Sequence, residues 1–351
     1  MSLKVGIVGL PNVGKSTFFN ALIKKEVAEI GDYPFTTIEP NVSIVEVPDR
    51  NLLKLKKLLG APKALPATIK FVDIAGLIKN AYKGEGLGNQ FLDHIRKMNA
   101  LVFILRAFES KTQFDGGTPK EQLEIILEEL RQKDRDTLVK KKKFLEHSAK
   151  TNKEEYSFLT IVDKMIQRID LGENLFDFYR SSDKKIKKFI RSLFLLSLKP
   201  YLIVINVSEK DILKKNWGVD GIVVCAKTEK ELCDLGEKEQ KEYLEALGVK
   251  ESALEKIIRE SYNLLSLITF YTYKPKELVQ AWSLKRGSSI LKAASKIHSD
   301  FAKKFIKAEV INLKDLFLSG SMEEALKRGK IRIKGKDYIV NDKDLIYIHH
   351  S

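Results

Sequence analysis

The chain has 351 residues, of which 44% are hydrophobic and 31% charged; at roughly 150 residues per domain that suggests two or three domains with cores of their own and excludes a disordered chain. A net charge of +15 draws the surface toward phosphate backbones or anionic lipid, or simply keeps it soluble. Two cysteines, Cys225 and Cys233, exclude a disulfide framework in a chain of this size.

Residues 3–9, Leu-Lys-Val-Gly-Ile-Val-Gly, read as a buried strand running into a glycine-rich turn. Ser16 to Lys24 read as a helix with Phe18, Phe19, Leu22 and Ile23 inward. No basic leader precedes the strand, and no stretch approaches the roughly 18 apolar residues that cross a bilayer. The expectation is a cytoplasmic protein with reduced thiols and no membrane partner. Apolar runs at 43–47, 69–72, 101–105, 201–207 and 221–224 read as further strands, with helical patterns such as 50–59 and 88–98 between them. This alternation predicts an α/β fold with a doubly wound, mostly parallel sheet that leaves room for an antiparallel pair, such as 43–47 with 69–72.

The alternation stops between residues 119 and 199. Leu123, Ile126, Leu127 and Leu130 recur at helical spacing, and a lysine run follows at residues 140–143. Beyond a polar break at 150–153 the helical period resumes at Phe158, Leu159, Val162, Met165, Ile166 and Ile169. Long helices joined by a short polar turn predict an antiparallel hairpin, and strands on both sides make it an insertion. The first domain is thus split, 1–118 and 200–265, around an insertion at 119–199. Residues 266–351 read as a small α+β domain, with strands at 269–273, 308–311, 330–333 and 346–348 and a helix at 290–298. Phe270, Tyr271, Tyr273 and Trp282 read as its core.

Gly9-Leu10-Pro11-Asn12-Val13-Gly14-Lys15-Ser16 matches the phosphate-loop pattern G-x-x-x-x-G-K-[ST]. Its glycines let the backbone N–H groups turn inward onto a phosphate at the positive end of the next helix. Lys15 is placed to reach the β- and γ-phosphates and Ser16 to ligate Mg²⁺, with Asn12, Val13, Gly14 and Thr17 completing the cradle. The position between an apolar strand and an amphipathic helix is the context the motif requires. Asp73-Ile74-Ala75-Gly76 follows the strand at 69–72, so Asp73 is placed to hold the Mg²⁺ and Gly76 to offer its N–H to a γ-phosphate. Between the two motifs, Thr36 and Thr37 are both candidates for the switch threonine on the metal.

The base-reading position discriminates most. GTPases place N-K-x-D after a strand, and its carboxylate accepts from the two donors on guanine. Here the strand at 201–205 is followed by Asn206-Val207-Ser208-Glu209. The lysine is absent, and Glu209 is one methylene longer than the aspartate it replaces. Both changes weaken a bidentate guanine contact, and adenine never needed it, so guanine selectivity is expected to collapse. Cys225-Ala226-Lys227, after the next strand, fits the loop that closes over the base.

In this order, Gly9 to Thr17, Tyr33-Pro34-Phe35-Thr36-Thr37-Ile38-Glu39-Pro40-Asn41, Asp73 to Leu77, Gly84-Glu85-Gly86-Leu87-Gly88-Asn89, Asn206 to Glu209 and Gly335 to Val340 resemble the YchF or Obg-like ATPase family across nearly the whole chain. The resemblance implies a P-loop NTPase of G-domain type, a helical insertion within it, and a C-terminal TGS domain with a ubiquitin-like β-grasp fold. It also implies a preference for ATP over GTP and association with ribosomes. Asn12 matches the position where some relatives bind K⁺, which would supply positive charge where other enzymes use an arginine finger.

Two departures bear on turnover. Leu77 stands where Ras-like enzymes carry the glutamine that orients water. Family members carry a histidine shortly after an Arg-Cys-Phe-Glu segment; here the segment is Arg106-Ala107-Phe108-Glu109, and the matching position is Asp115, a weak base at neutral pH. Intact Lys15, Ser16 and Asp73 favour a Mg²⁺–nucleotide hydrolase, with turnover expected to be slow. The competing readings are a nucleotide-gated binding module with hardly any hydrolysis, and a GTP-binding regulator. Ribosomal RNA or protein is the expected partner of the basic insertion and the C-terminal domain, with no DNA sequence specificity.

Overall fold

The computed structural model describes residues 3–25, 41–74, 87–109, 116–148, 150 and 152–351. Strand β1 (Lys4–Val8) enters helix α1 (Lys15–Lys24), followed by β2 (Val42–Glu46), α2 (Arg50–Leu59), β3 (Lys63–Leu65), β4 (Thr68–Asp73), α3 (Leu87–Arg96) and β5 (Ala100–Arg106). Four helices come next: α4 (Pro119–Ser148), α5 (Lys153–Asp170), α6 (Leu175–Ser181) and α7 (Lys184–Ser192). Then come β6 (Tyr201–Asn206), β7 (Ile222–Val224), α8 (Ala226–Leu232), α9 (Glu237–Ala246) and α10 (Ala253–Leu264). The remaining elements are β8 (Leu267–Lys274), β9 (Leu278–Lys285), α11 (Ile290–Ile297), α12 (Ser299–Lys303), β10 (Phe305–Asn312), α13 (Leu313–Ser319), α14 (Met322–Lys327), β11 (Arg332–Lys334) and β12 (Asp344–His350).

The first sheet has the order β2-β4-β1-β5-β6-β7. All neighbours are parallel except β2 and β4, the antiparallel pair expected from the sequence. Every residue of β5 is buried, as a central strand covered on both faces requires. Because the other five strands run the same way, their carboxyl ends share one edge. Ile7 is level with Asp73 there, and Arg106 with Asn206. Ligands of open α/β sheets bind at that edge, where loops are free to diverge and helix N-termini converge.

Helices α4 and α5 form the expected antiparallel hairpin. Asn152 starts α5 by accepting from the Glu154 and Glu155 N–H groups at 2.9 and 3.4 Å. Leu138 and Leu145 pack on Val162, Met165 and Ile169 to give the hairpin its own core. Two ion pairs, Lys142–Asp163 at 2.7 Å and Arg135–Asp170 at 2.5 Å, set the register from outside. At 30 residues, α4 is about 45 Å long and projects well beyond the sheet.

Asp134 fastens this arm to the first sheet. It is 1% exposed, and its carboxylate accepts from the Leu196 N–H at 2.7 Å, the Ser197 N–H at 2.8 Å and the Ser197 hydroxyl at 2.7 Å. Those donors lie just before β6. Lys199 extends the joint by donating to the carbonyl oxygens of Arg96 at 3.0 Å and Met98 at 2.5 Å, at the end of α3.

The second sheet has the order β11-β10-β12-β8-β9-β3. Its hairpin β8–β9 is antiparallel, and β12 runs parallel beside β8. Helices α11 and α12 cover one face over Phe270, Leu284, Phe305, Val310 and Ile346, so Phe270 is a core residue as read from the sequence, with Trp282 partly buried beside it. The opposite face joins the core of the first sheet through Tyr271, Val279, Ala281, Ile311 and Leu345. Strand β3, from between α2 and β4, completes this sheet in parallel with β9. At the seam, Asp49 caps α2 by accepting from the Asn51 N–H and also accepts from the Tyr271 hydroxyl at 2.7 Å. Burial and that carboxylate together push the Tyr271 hydroxyl far above its ordinary pKa. Among the described residues, no helix is long and apolar enough to cross a membrane.

Candidate nucleotide-binding site

The turn after β1 is shaped by contacts that leave no room for side chains. A Cβ at Gly9 would lie 2.8 Å from the Ile104 carbonyl oxygen and from Val13 Cγ2. Gly14 has φ 86°, and a Cβ there would lie 2.2 Å from Asn206 Nδ2. Asn12 is also left-handed, at φ 62°. Gly14, the N-cap of α1, has no side chain to cap the helix, and the first turn holds no acidic residue. A helix N-terminus of this kind, with its positive dipole end, is suited to receive an anion. Gly14→Ala forces a β-carbon into the left-handed region and onto Asn206. The expected result is at least about a tenfold loss of nucleotide affinity by calorimetry.

Lys15 donates to Asp73 Oδ1 at 2.5 Å, with the two side chains 11% and 19% exposed. The last residue of β4 is thereby brought to the first residue of α1, across 58 positions of sequence. Ser16 is exposed beside Lys15 and Thr17 is half-buried. The Ser16 hydroxyl and the Asp73 carboxylate are hard oxygen donors of the kind Mg²⁺ takes. Among the described residues, no group of three or more His, Cys, Asp or Glu side chains is placed to hold a metal ion by itself. Thr36, Thr37, Gly76, Leu77 and Asp115 lie outside the described residues.

Asn206, 4% exposed at the end of β6, links the turn after β1 to the start of α8. Its Nδ2 donates to the Val13 carbonyl at 2.9 Å, and its Oδ1 accepts from the Ala226 N–H at 3.0 Å. Val207 is buried and donates its N–H to the Val224 carbonyl at 2.8 Å. Cys225 is the N-cap of α8 and is buried as a free thiol. Lys227 points along the outside of α8, 3.9 Å from Glu231. Glu209 lies in the short 3-10 turn Glu209–Asp211 just beyond β6, and its carboxylate accepts from Thr228 and Tyr243.

Sequence reasoning missed the brace beneath the loop. Arg106, the last residue of β5, is 6% exposed; it donates from Nη1 to the Asn12 carbonyl at 3.3 Å and from Nε to the Phe108 carbonyl at 3.1 Å. Its guanidinium lies over the Phe108 ring, 4.7 Å from the centroid. Gln122, fully buried on α4, accepts from the Arg106 N–H and donates to the Arg106 carbonyl, both at 2.7 Å. An arginine ending an otherwise apolar strand was the available signal.

A glycine-shaped turn at a helix N-terminus, a lysine paired with a strand-end aspartate, and an asparagine joining both loops define a P-loop nucleotide-binding protein of the G-domain class. The model described as a 50S ribosome-binding GTPase matches residues 4–143, and YchF-GTPase_C, described as a protein of unknown function (DUF933), matches residues 267–351. The chain is 40% identical to a Bacillus subtilis protein named ribosome-binding ATPase YchF, over 100% of both chains. It is 42% identical to the Mycoplasma genitalium protein of that name, with 98% of each covered. The solved Schizosaccharomyces pombe YchF GTPase superposes with a TM-score of 0.87 at 33% identity, covering 99% of this chain and 98% of that one. The chain belongs to the YchF family.

Proposed function

We propose that this chain is a cytoplasmic, ribosome-associated ATPase that prefers ATP to GTP, turns over slowly and changes its hold on the ribosome with its nucleotide state. The observation that carries the reading is the convergence of Lys15, Asp73 and Asn206 on one phosphate loop. In this reading the N–H groups at the start of α1 bind the β-phosphate, and Lys15 leaves Asp73 to neutralise charge on the β- and γ-phosphates. Ser16, Asp73 and either Thr36 or Thr37 would hold Mg²⁺, which supplies further neutralisation of the phosphate oxygens. Gly76 donates to the γ-phosphate, Asn12 accommodates a K⁺, and Asp115 stands where the family histidine would orient water. The aliphatic Leu77 cannot share that task, which favours slow turnover. Asn206, Val207, Glu209, Cys225, Ala226 and Lys227 surround the base, without the lysine and aspartate that select guanine.

The proposed division of labour follows the chain. Residues 1–118 and 200–265 bind nucleotide, 119–199 form the basic arm, and 266–351 form a TGS domain of β-grasp type. Relatives named as ribosome-binding ATPases bring the ribosome into this proposal, and the charge of +15 is compatible with a phosphate-rich partner. Co-sedimentation with ribosomes, with a non-hydrolysable ATP analogue or ADP over a salt series, tests it. Association is expected to weaken steeply with salt and to differ at least about threefold between nucleotide states. Sedimentation indifferent to both variables would overturn the switch.

A further inference from the structure

Glu209 is held from outside the base motif. Its Oε2 accepts from the Thr228 hydroxyl at 2.8 Å and from the Tyr243 hydroxyl at 3.1 Å. Thr228 is 3% exposed on α8, whose first N–H is already bound to Asn206, so its position relative to β6 is set. Tyr243 reaches back from α9, half-buried, across 34 residues of sequence. The hydrogen bond to Glu209 raises its hydroxyl pKa, so Tyr243 remains the proton donor.

A carboxylate oxygen offers two lone pairs. Two donors fill Oε2 and leave Oε1 alone to meet a base. Guanine presents two adjacent donors, N1–H and the 2-amino group, and needs both oxygens for a paired contact. Adenine presents a single 6-amino group beside an acceptor, and one oxygen satisfies it. We propose that Thr228 and Tyr243 are specificity-determining positioning residues, which reduce Glu209 to a single acceptor and so turn the site from guanine toward adenine. The inference rests on the reading that the base sits at Asn206–Glu209 and that ATP is preferred.

The test is calorimetric affinity for non-hydrolysable ATP and GTP analogues with Mg²⁺, in wild type, Thr228→Val, Tyr243→Phe, the double variant and Thr228→Ser. Wild type is expected to favour the ATP analogue. The double variant is expected to shift the affinity ratio at least about fivefold toward GTP, while Thr228→Ser, which keeps the hydroxyl, stays near wild type. Tyr243→Phe alone, on a half-buried helix face, is expected to show part of the shift and carries the test if the Thr228→Val protein does not fold. An unchanged ratio in variants of an ATP-preferring wild type overturns the clamp and leaves the base reading standing. Equal loss of both analogues shows a merely structural role and overturns it too. A wild type that binds GTP as tightly as ATP overturns the base reading, and the clamp with it.

Discussion

Replacing Lys15 with alanine is expected to lower single-turnover hydrolysis at least about a hundredfold, the scale on which a preorganised cationic or hydrogen-bond donor stabilises developing phosphate charge. The ammonium is 2.5 Å from Asp73 and only 11% exposed, so its charge is held at the start of α1. The fold is expected to survive. The carboxylate left behind is 19% exposed and reaches water, so the loss of stability stays below about 2 kcal/mol, less than for a fully buried pair. Urea unfolding alongside the kinetic assay separates the two effects. A variant that hydrolyses at more than a tenth of the wild-type rate would show that phosphate charge is handled elsewhere.

The largest stability effect is expected at Asp134. Asp134→Ala removes the acceptor for three donors, two of them backbone N–H groups, and opens a cavity at the joint between arm and sheet. The expected loss is about 3 kcal/mol, the scale for stranding buried polar groups and leaving space behind them. The joint is also sensitive to pH. Burial raises the Asp134 carboxyl to about 6, against the opposing pull of the Ser197 and Leu196 donors and the Arg96 charge. The folded state thus holds this proton more tightly than the unfolded chain, whose pKa is near 3.8. The stabilisation from protonation is fully present below the unfolded pKa and is lost as pH rises through about 6. Compared with Asp134→Asn, which does not titrate, wild type is expected to gain about 1 kcal/mol of relative stability between pH 7.5 and pH 5.5. Unfolding midpoints for the two proteins across that range, showing the opposite slope or none, would contradict the assignment.

The phosphate loop was legible in the sequence because its chemistry constrains residue type at each spacing. Glycine must stand where φ is 86° and where a β-carbon would strike Asn206, and that requirement is written into the motif itself. The hairpin arm was legible because Leu123, Ile126, Leu127 and Leu130, and then Val162, Met165, Ile166 and Ile169, recur at a period that suits a helix. Strand β3 was not. Lys63-Ala64-Leu65 is too short to alternate, and it is a strand only because β9, more than 200 residues later, offers an edge. Strand β9 was missed as well, since Gln280, Trp282 and Ser283 interrupt the apolar pattern while Val279, Ala281 and Leu284 face the core. The Arg106–Gln122 brace and the Glu209–Thr228–Tyr243 network were invisible for a related reason. Each joins polar side chains from separate elements, and no local periodicity reports which of them meet.

On the proposed function, an intact phosphate loop serves a base site that has given up guanine. Single-turnover cleavage of ATP and GTP with Mg²⁺, each in K⁺ and in Na⁺ and with and without ribosomes, is the decisive measurement. Slow cleavage that favours ATP and quickens with K⁺ or ribosomes is the expected result. Preferential cleavage of GTP, or tight ATP binding with no cleavage under any of these conditions, would contradict it.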